Sequence, residues 1–417
     1  MTRVALLCSE PIRPAMGGIG VRYLEMARHL SALGLDVRLV SPTEPEAAAE
    51  AGFPAERLRR YRPERRSEWL ADRDVVVAQG QLGNDLVLDD PGLPLVFDLY
   101  DPWLVENLAY AGELGFEPYR NDHRSWVLQL GRGDLLLCAS AEQRLFYLGF
   151  LAALGRLDPR RFEFDPTLSG LVAIVPFGCA VGDSVDPPSS PPRAEQRLLF
   201  GGIYDWYDIE TLVAALERVK APRWRLTVVR TAHPASTPQR QFDRLEKASR
   251  QRGWWGDRVV AIDRVAAERR RELFAESDLL VAPHQASLES ELSFRTRFLD
   301  ALAADCPVVA TRGGALSRMV ESRAAGWVVP ERDPAALAAA IDEALAGGPA
   351  VEARRRNGRA LAAEFSWSRS LAPLVEFLQR PTLDPTRSEL VALPETAAPL
   401  ESGARRLWRR ARRRLSR

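Results

Sequence analysis

Two carboxylates and two arginines lie close together within residues 288–314. Glu289 and Glu291 come first, and Arg295 and Arg297 follow. Carboxylates accept hydrogen bonds from sugar hydroxyls, and guanidinium groups bind phosphate through charge-assisted hydrogen bonds. This combination predicts a site for a nucleotide sugar, with phosphate on one side and sugar on the other. A solvated acidic loop beside a basic helix face explains the same spacing, so the residues alone leave both interpretations open.

The flanking sequence predicts the elements that position these side chains. An apolar strand is expected over residues 278–282 and a second one over residues 308–310. A loop carrying the carboxylates and then a helix are predicted between them, with Ser293 and Arg295 at the start of that helix. Helix N-termini favour anions, because their first amide N–H groups lack partners. The site is therefore expected at the carboxyl end of a strand, where ligands bind in open α/β sheets.

The segment from Ser287 to Gly314 resembles the donor site of family 4 glycosyltransferases, which are retaining enzymes of the two-domain GT-B fold. The residues that match the pattern of that family are Phe294, Asp300, Pro307, Gly313 and Gly314. The resemblance implies a donor-binding role for Phe294 and directs Asp300 toward the ribose. Ser293, Arg295 and Arg297 are expected to bind the donor phosphate because of the helix N-terminus and their charges.

One position departs from the family pattern. The first acidic residue of the pattern falls on Leu292 in this chain. The resemblance therefore assigns the catalytic carboxylate on the donor sugar to Glu289 or Glu291, and it does not decide between them.

Composition limits the classes of function. A chain of 417 residues with 46% apolar residues is long enough for two or three domains with proper cores. The formal charge of +1 argues against a general nucleic-acid binder. The four cysteines are scattered without metal-ligand spacing, so reduced structural thiols in the cytoplasm are expected. No signal-peptide core or membrane-spanning stretch is seen.

The N-terminal half reads as a Rossmann-like layer that begins with a strand, a glycine-rich loop and a helix. Gly17, Gly18 and Gly20 are expected to adopt positive φ and to let the backbone approach a ligand closely. By resemblance this loop faces the donor phosphate. A dinucleotide site is weakly supported, because the spacing is not G-x-G-x-x-G, and a plain tight turn is the alternative.

Polar and aromatic residues follow a later strand of the same layer, over residues 98–107. By resemblance they line the acceptor: Asp98, Tyr100, Trp103 and Glu106, with Asp101 as a catalytic candidate. The family often places a histidine here, whereas this chain has none, and Asp101 or Glu106 is the expected substitute. An Asp-Pro turn with a helix N-cap is the structural alternative.

The second half begins a new Rossmann-like series near residue 197, and its first loop covers residues 201–208. Family members usually carry an arginine and a lysine there that grip the diphosphate, but this chain has Gly202 and Tyr207 at those places. Gly202 and Tyr204 are still expected to bind the donor, and Tyr204 to stack on its base or sugar. A purely structural aromatic cluster is the alternative.

The resemblance covers about residues 1–379 and predicts an α/β fold in which two Rossmann-like domains face each other across a cleft. The expected domains are residues 1–182 with a cross-over helix at 366–380, and residues 193–365 for the nucleotide sugar. Residues 381–403 are expected to be a disordered linker. Residues 404–417, with eight arginines and an apolar stripe, predict a basic amphipathic helix suited to an anionic membrane surface.

The expected function is retaining transfer of a sugar from a nucleotide sugar to an acceptor hydroxyl, in polysaccharide, glycolipid or natural-product synthesis. The acceptor is expected to be a glycan, a lipid-linked sugar or a small molecule, and no cofactor, metal or nucleic acid is expected. Two alternatives remain: a GT-B-like nucleotide-sugar epimerase, and a binding protein without catalysis. The protein is expected in the cytoplasm, with membrane association through its tail.

Overall fold

The computed structural model describes residues 1–180, 195–230, 239–263, 265–384 and 387. The chain forms two compact α/β units, as the sequence predicts. Unit 1 consists of Met1–Pro176 and the described residues from Leu371 onward, and unit 2 consists of Phe177–Ser370. The predicted 404–417 helix, most of the 381–403 linker and the interdomain residues 183–192 lie outside the described residues.

Unit 1 is built on a seven-stranded sheet in which every pair of neighbours is parallel. Its strands are β1 (Arg3–Leu7), β2 (Asp36–Ser41), β3 (Leu58–Arg60), β4 (Val75–Ala78), β5 (Leu95–Asp98), β6 (Leu135–Cys138) and β7 (Val172–Ile174). Their order is β3-β2-β1-β4-β5-β6-β7. The strand order therefore reverses direction between β1 and β4.

Unit 2 is built on a six-stranded parallel sheet. Its strands are β8 (Gln196–Phe200), β9 (Trp224–Val229), β10 (Val259–Ile262), β11 (Leu279–Ala282), β12 (Val308–Thr311) and β13 (Trp327–Val329). Their order is β10-β9-β8-β11-β12-β13, so the reversal lies between β8 and β11.

Helices connect the strands of both sheets. Unit 1 contains α1 (Gly18–Ala32), α2 (Pro45–Glu50), α3 (Arg66–Leu70), α4 (Gly83–Asp89), α5 (Trp103–Glu106), α6 (Ala111–Leu114), α7 (Glu117–Arg132), α8 (Ala141–Ala153) and α9 (Pro159–Phe164). Unit 2 contains α10 (Ile209–Leu216), α11 (Arg240–Gln251), α12 (Ala267–Ala275), α13 (Leu288–Leu292), α14 (Thr296–Ala303), α15 (Gly314–Ser322), α16 (Pro334–Ala346), α17 (Pro349–Ala363) and α18 (Trp367–Ser370). The last described helix, α19 (Ala372–Gln379), returns to unit 1.

The central strands are buried along their whole length. Every residue of β4, β5, β6, β11 and β12 is buried. Continuous apolar strands of this kind are typical of parallel sheets that are covered by helices on both faces. In unit 1 the core is completed by Trp126 of α7, which is fully buried and contacts Tyr147 of α8 edge to face at 5.3 Å. Such rigid sheets fix the positions at which the loops leave the strand ends.

No helix among the described residues is long and apolar enough to span a bilayer.

Candidate active site

The candidate site of unit 2 lies at the carboxyl ends of β8 and β11, where the strand order reverses. The loop after β8 and the segment after β11 are joined there, because Tyr207 and His284 form a β-bridge. The Asp208 amide also donates to the Pro283 carbonyl at 3.0 Å. A strand-order reversal opens a crevice above the sheet, and this is the usual ligand position in such folds.

Glu289 and Arg295 form a buried ion pair. The Arg295 guanidinium donates to Oε1 of Glu289 at 2.9 Å and to Oε2 at 2.8 Å. The two side chains are only 5% and 8% exposed. Each of these groups was expected to bind the donor, Glu289 through sugar hydroxyls and Arg295 through phosphate. In this structure each satisfies the other, so neither is open to a ligand.

The carboxylates do not lie in a loop as expected, because Glu289 and Glu291 both belong to the short helix α13. Its N-cap is Ser287, whose Oγ accepts the Ser290 amide at 3.1 Å. Glu291 lies on the open side of α13, where its carboxylate is 54% exposed and accepts from Arg318 at 2.9 Å. Of the two candidate carboxylates, Glu291 is the accessible one, and its role on the donor sugar stays a prediction.

The helix that was expected to receive the phosphate begins later than predicted. Helix α14 starts at Thr296, and its N-cap, Arg295, makes no side-chain cap. The Ser293 amide donates to the Glu289 carbonyl at 2.8 Å, and Phe294 is buried against Phe365 with ring centroids 5.6 Å apart. Ser293 therefore ends α13, and Phe294 packs in the interior of the unit. The first turn of α14 has no side-chain cap.

Glycines allow α13 to lie close to α15. A Cβ on Gly314 would come within 2.7 Å of the Ser290 carbonyl oxygen, and Gly314 has a φ of +74°. Both the space and the backbone conformation at this position favour glycine. The matched glycine pair therefore has a clear packing role beside the candidate site.

Aromatic residues line the loop after β8. Tyr204 stacks on Trp206 with centroids 4.7 Å apart and planes 5° from parallel, and Tyr207 is buried against Phe200. Arg297 lies over the Tyr204 ring at 5.3 Å. The structural interpretation therefore fits Tyr207, and the ligand-binding interpretation fits Tyr204. Tyr207 belongs to the core, whereas Tyr204 is half-buried and lies beside a cation.

Asp300 is half-buried on α14, and its nearest cation is Arg270 at 3.9 Å. Burial raises the pKa of Asp300, while Arg270 and Arg297 act in the opposite direction. The expected contact of Asp300 with ribose stays a prediction.

His284 is a buried ring at the end of β11. Burial, and then the charges of Arg295 and Arg297, hold its pKa well below the ordinary value. Its Nε2 atom has no hydrogen-bond partner among the described residues. A neutral imidazole next to two guanidinium groups adds no third positive charge to the site.

In unit 1 the glycine loop differs from expectation. Gly17 is the N-cap of α1 with a φ of −73°, Gly18 and Gly20 lie inside the helix, and none of the three adopts positive φ. The space at Gly17 is used by Glu10, whose Oε2 accepts the Gly20 amide at 2.9 Å. A Cβ on Gly17 would overlap the Glu10 carboxylate. A carboxylate of the chain itself therefore occupies the anion position at the start of α1.

Asp98 is the buried counter-ion of Arg22. The Arg22 guanidinium donates to both carboxylate oxygens, at 2.7 and 3.0 Å, and both side chains are fully buried. Arg22 also donates to the carbonyls of Val175 and Pro176. The expectation that Asp98 faces an acceptor is corrected, because a fully buried carboxylate engaged on both oxygens cannot reach one.

Arg22 could have been found from its position on the inner face of α1, among the buried Tyr23, Met26 and Leu30. A charge placed there needs a counter-ion.

The remaining acceptor candidates surround the start of α1 and α5. Tyr100 is buried under Arg22, with the guanidinium 4.5 Å from its ring centroid, and a Cβ on Gly18 would lie 3.5 Å from its hydroxyl. Trp103 is half-buried and packs edge to face on Trp126 at 5.6 Å. These contacts bring the glycine loop and Tyr100 together.

Two further acceptor-side candidates, Asp101 and Glu106, are half-buried at the two ends of this segment. Their proposed roles on the acceptor stay predictions.

Neither a metal-ligand cluster nor an exposed thiol is found among the described residues. No group of three or more His, Cys, Asp or Glu side chains gathers there to hold a metal ion. All four cysteines are free and buried. Burial raises the pKa of Cys138 and of Cys306 to about 12, so both thiols stay protonated at neutral pH.

Comparison with known families gives a match in unit 2. Residues 195–347 match the family described as glycosyl transferases group 1. The matched segment contains the whole site between β8 and β11. No curated protein matches the chain by sequence.

Solved structures share the fold over most of the chain. HepE from Anabaena, solved in complex with UDP-glucose, has a TM-score of 0.70 and 14% identity, covering 91% of this chain and 100% of its own. Sucrose-phosphate synthase from Thermosynechococcus elongatus has a TM-score of 0.66 and 17% identity, covering 91% and 99%. WaaG, a glycosyltransferase of lipopolysaccharide biosynthesis, has a TM-score of 0.60 and 18% identity, covering 91% and 100%. The fold is therefore that of GT-B glycosyltransferases.

Proposed function

We propose that this protein is a glycosyltransferase that moves a sugar from a nucleotide-sugar donor to an acceptor hydroxyl. The observation that carries the proposal is the family match over residues 195–347, because it includes the site where the strand order of unit 2 reverses. Unit 2 would bind the donor, and the residues around Gly18, Tyr100 and Trp103 of unit 1 would bind the acceptor.

In such a reaction the bond between the anomeric carbon and the diphosphate oxygen breaks, and a bond to the acceptor oxygen forms. The acceptor hydroxyl loses its proton, and the nucleoside diphosphate leaves with the electron pair. Groups that stabilise the growing negative charge on the diphosphate lower the barrier most effectively. Holding the acceptor hydroxyl against the anomeric carbon contributes much of the rest.

Three finer features are part of this proposal. Transfer proceeds with retention at the anomeric carbon, as in the family 4 enzymes that the sequence resembles. The reaction needs no metal ion. The acceptor is a glycan, a lipid-linked sugar or a small molecule. The anomeric configuration of the product, read by NMR, tests retention, and activity that survives EDTA tests metal independence.

A panel of nucleotide sugars in a thermal-shift assay tests the donor site. A donor at about 100 times its dissociation constant stabilises the protein by about 2.7 kcal/mol, so its melting temperature should rise clearly. The stabilising donor is then incubated with and without acceptors, and the products are analysed. A free epimerised nucleotide sugar formed without acceptor would identify an epimerase. Binding without any turnover across the acceptor panel would favour the non-catalytic alternative.

The basic C-terminal segment supports a further part of the proposal, which is association with the cytoplasmic face of a membrane. Residues 404–417 carry eight arginines, and each arginine near an anionic surface contributes about 1 kcal/mol. Deleting these residues should abolish sedimentation with anionic vesicles. Unchanged sedimentation would leave the tail without this role.

A further inference from the structure

Arg297 forms no ion pair with a carboxylate of the described residues, although the charge of Asp300 lies one turn further along α14. Its Nη1 atom donates to the Tyr207 hydroxyl at 3.1 Å, and its guanidinium lies over the Tyr204 ring. Among the described residues, no carboxylate lies within ion-pair distance of Arg297. Arg295, only two residues earlier, is fully neutralised by Glu289. Half-buried charges are normally paired, so an unpaired guanidinium at a strand-order reversal indicates that its counter-ion is a ligand.

Two glycines after β8 make room for this side chain. A Cβ on Gly201 would lie 2.7 Å from Cδ of Arg297, and a Cβ on Gly202 would lie 3.1 Å from Nη2. Gly202 also has a φ of +126°, which a residue with a side chain rarely adopts. The loop is therefore shaped around an arginine that comes from another element, helix α14.

The loop after β8 lacks the two cations that related sequences carry. The family that the sequence resembles usually carries an arginine at the place of Gly202 and a lysine at the place of Tyr207. In this chain the Arg297 guanidinium lies against the first of these positions and is hydrogen-bonded to the second. One cation from α14 thus occupies the space next to both missing residues.

We propose that Arg297 binds the diphosphate of the donor and replaces the two missing cations of the loop after β8. This inference rests on the proposed function, since it assumes a nucleoside-diphosphate ligand. The other nearby arginines fit less well. Arg295 is saturated by Glu289, and Arg230 lies over the Phe242 ring with Asp263 3.7 Å away. The tyrosines hold Arg297 without cancelling its charge, so the guanidinium is positioned before the donor arrives.

Binding measurements on the full-length protein test this assignment. The probes are UDP, GDP and ADP, each compared with its own nucleoside by calorimetry. Arg297→Gln should weaken binding of the preferred diphosphate by about 10- to 100-fold, because a charge-assisted contact is lost. Binding of the nucleoside should not change. Arg297→Lys keeps the charge but not the planar group, so its diphosphate affinity should lie between that of wild type and that of Arg297→Gln.

Arg323→Gln is the matched control. Arg323 is an exposed arginine in unit 2 that pairs with Glu364 at 3.4 Å, and its loss should leave diphosphate binding unchanged. Circular dichroism and melting temperature check that each variant is folded. If Arg297→Gln is unfolded, the affinity of Arg297→Lys is compared with wild type instead.

The outcomes separate the two proposals. Equal diphosphate affinity in wild type and a folded Arg297→Gln would overturn the role of Arg297 and leave the glycosyltransferase proposal standing. A wild-type protein that binds none of the diphosphates would count against both. If turnover is found, Arg297→Gln should lower kcat as well as raise KM, because charge on the diphosphate grows in the transition state.

Discussion

Glu289 and Glu291 are two residues apart on one short helix, yet they differ in environment. Glu289 is buried and paired with Arg295, whereas Glu291 is exposed and paired with Arg318. Burial makes the first pair sensitive to the loss of either partner, because the remaining charge has no solvent to stabilise it. An exposed pair contributes little, since water already stabilises both charges.

Replacement of these two glutamates gives a matched prediction. Glu289→Gln should lower the free energy of unfolding of unit 2 by about 3–5 kcal/mol. Glu291→Gln should change it by less than about 1 kcal/mol. Urea unfolding, followed by hydrogen exchange of peptides from β11, measures the difference. Equal losses in the two variants would show that the buried pair contributes no more than the exposed one.

His284 should make the stability of unit 2 depend on pH. Its pKa in the folded state is well below the value near 6.5 that it has when unfolded, because of burial and the charges of Arg295 and Arg297. Above pH 6.5 both states are neutral at this residue and stability is unaffected. As pH falls below 6.5, the unfolded state binds a proton that the folded state does not, so stability is lost.

The slope of this loss approaches about 1.4 kcal/mol per pH unit for one proton. His284→Phe keeps an aromatic ring against Tyr207 and removes the titration. Unfolding midpoints in urea at pH 7.5 and pH 5.5 should therefore differ less for this variant than for wild type. A wild-type slope that persists in His284→Phe would assign the titration to other groups.

At the scale of elements, the start of α1 is stabilised by a side chain from the preceding loop. Glu10 accepts the Gly20 amide, and its negative charge lies at the positive end of the helix dipole. Gly17→Ala would push this carboxylate away, since the new Cβ would overlap it. Loss of such a cap costs about 1 kcal/mol.

Hydrogen exchange of the first turn of α1 measures this cost, and exchange there should accelerate in Gly17→Ala. Gly112→Ala is the control, because a Cβ on Gly112 would meet no atom within 4 Å. If the two variants exchange alike in α1, the carboxylate does not act as a cap.

The elements themselves could largely be read from the sequence. The buried strands were predicted because each is a short apolar run, and the structure confirms the two parallel sheets. Strand β3 gave no such signal, because two of its three residues are charged. These residues, Arg59 and Arg60, are exposed in the structure. The position of the candidate site after β11 stays a prediction, and the pairing of its charged residues was not predicted. Ion pairs such as Arg22 with Asp98 join residues 76 positions apart, and one sequence does not show which charges meet.

The glycine loop was misjudged for a related reason. Gly17, Gly18 and Gly20 suggested positive φ, but none of them adopts it, and Gly17 instead leaves space for Glu10 at the start of α1. A sequence shows that a side chain is missing. It does not show which other side chain fills the place, and the same holds for Gly202 and Arg297.

At the scale of the whole molecule, the chain returns to unit 1 after completing unit 2. Asp384, which follows α19, accepts from Arg156 at 2.8 Å and from Arg161 at 3.0 Å, and all three are buried. Arg387 pairs with Asp134 at 3.0 Å in the same region. This cluster attaches the end of the described chain to α9 and to the connection before it, which lie more than two hundred residues earlier.

Asp384→Asn should loosen this attachment. Two buried guanidinium groups would lose the carboxylate that they share, so unit 1 should lose about 3–5 kcal/mol of stability. Hydrogen exchange of α8, α9 and α19 should increase, while peptides of unit 2 stay protected. Asp72→Asn, which removes an exposed partner of Arg3, serves as the control for a lost carboxylate in unit 1.

The return of the chain also sets an order of assembly during synthesis. Unit 2 is encoded inside unit 1, so Arg156 and Arg161 leave the ribosome long before Asp384 does. Domains usually form in the order in which they are translated, but here the inserted domain can close while its host still waits for its last segment. We expect nascent chains arrested shortly before residue 384 to be cleaved by protease mainly within residues 1–176, and longer chains to resist.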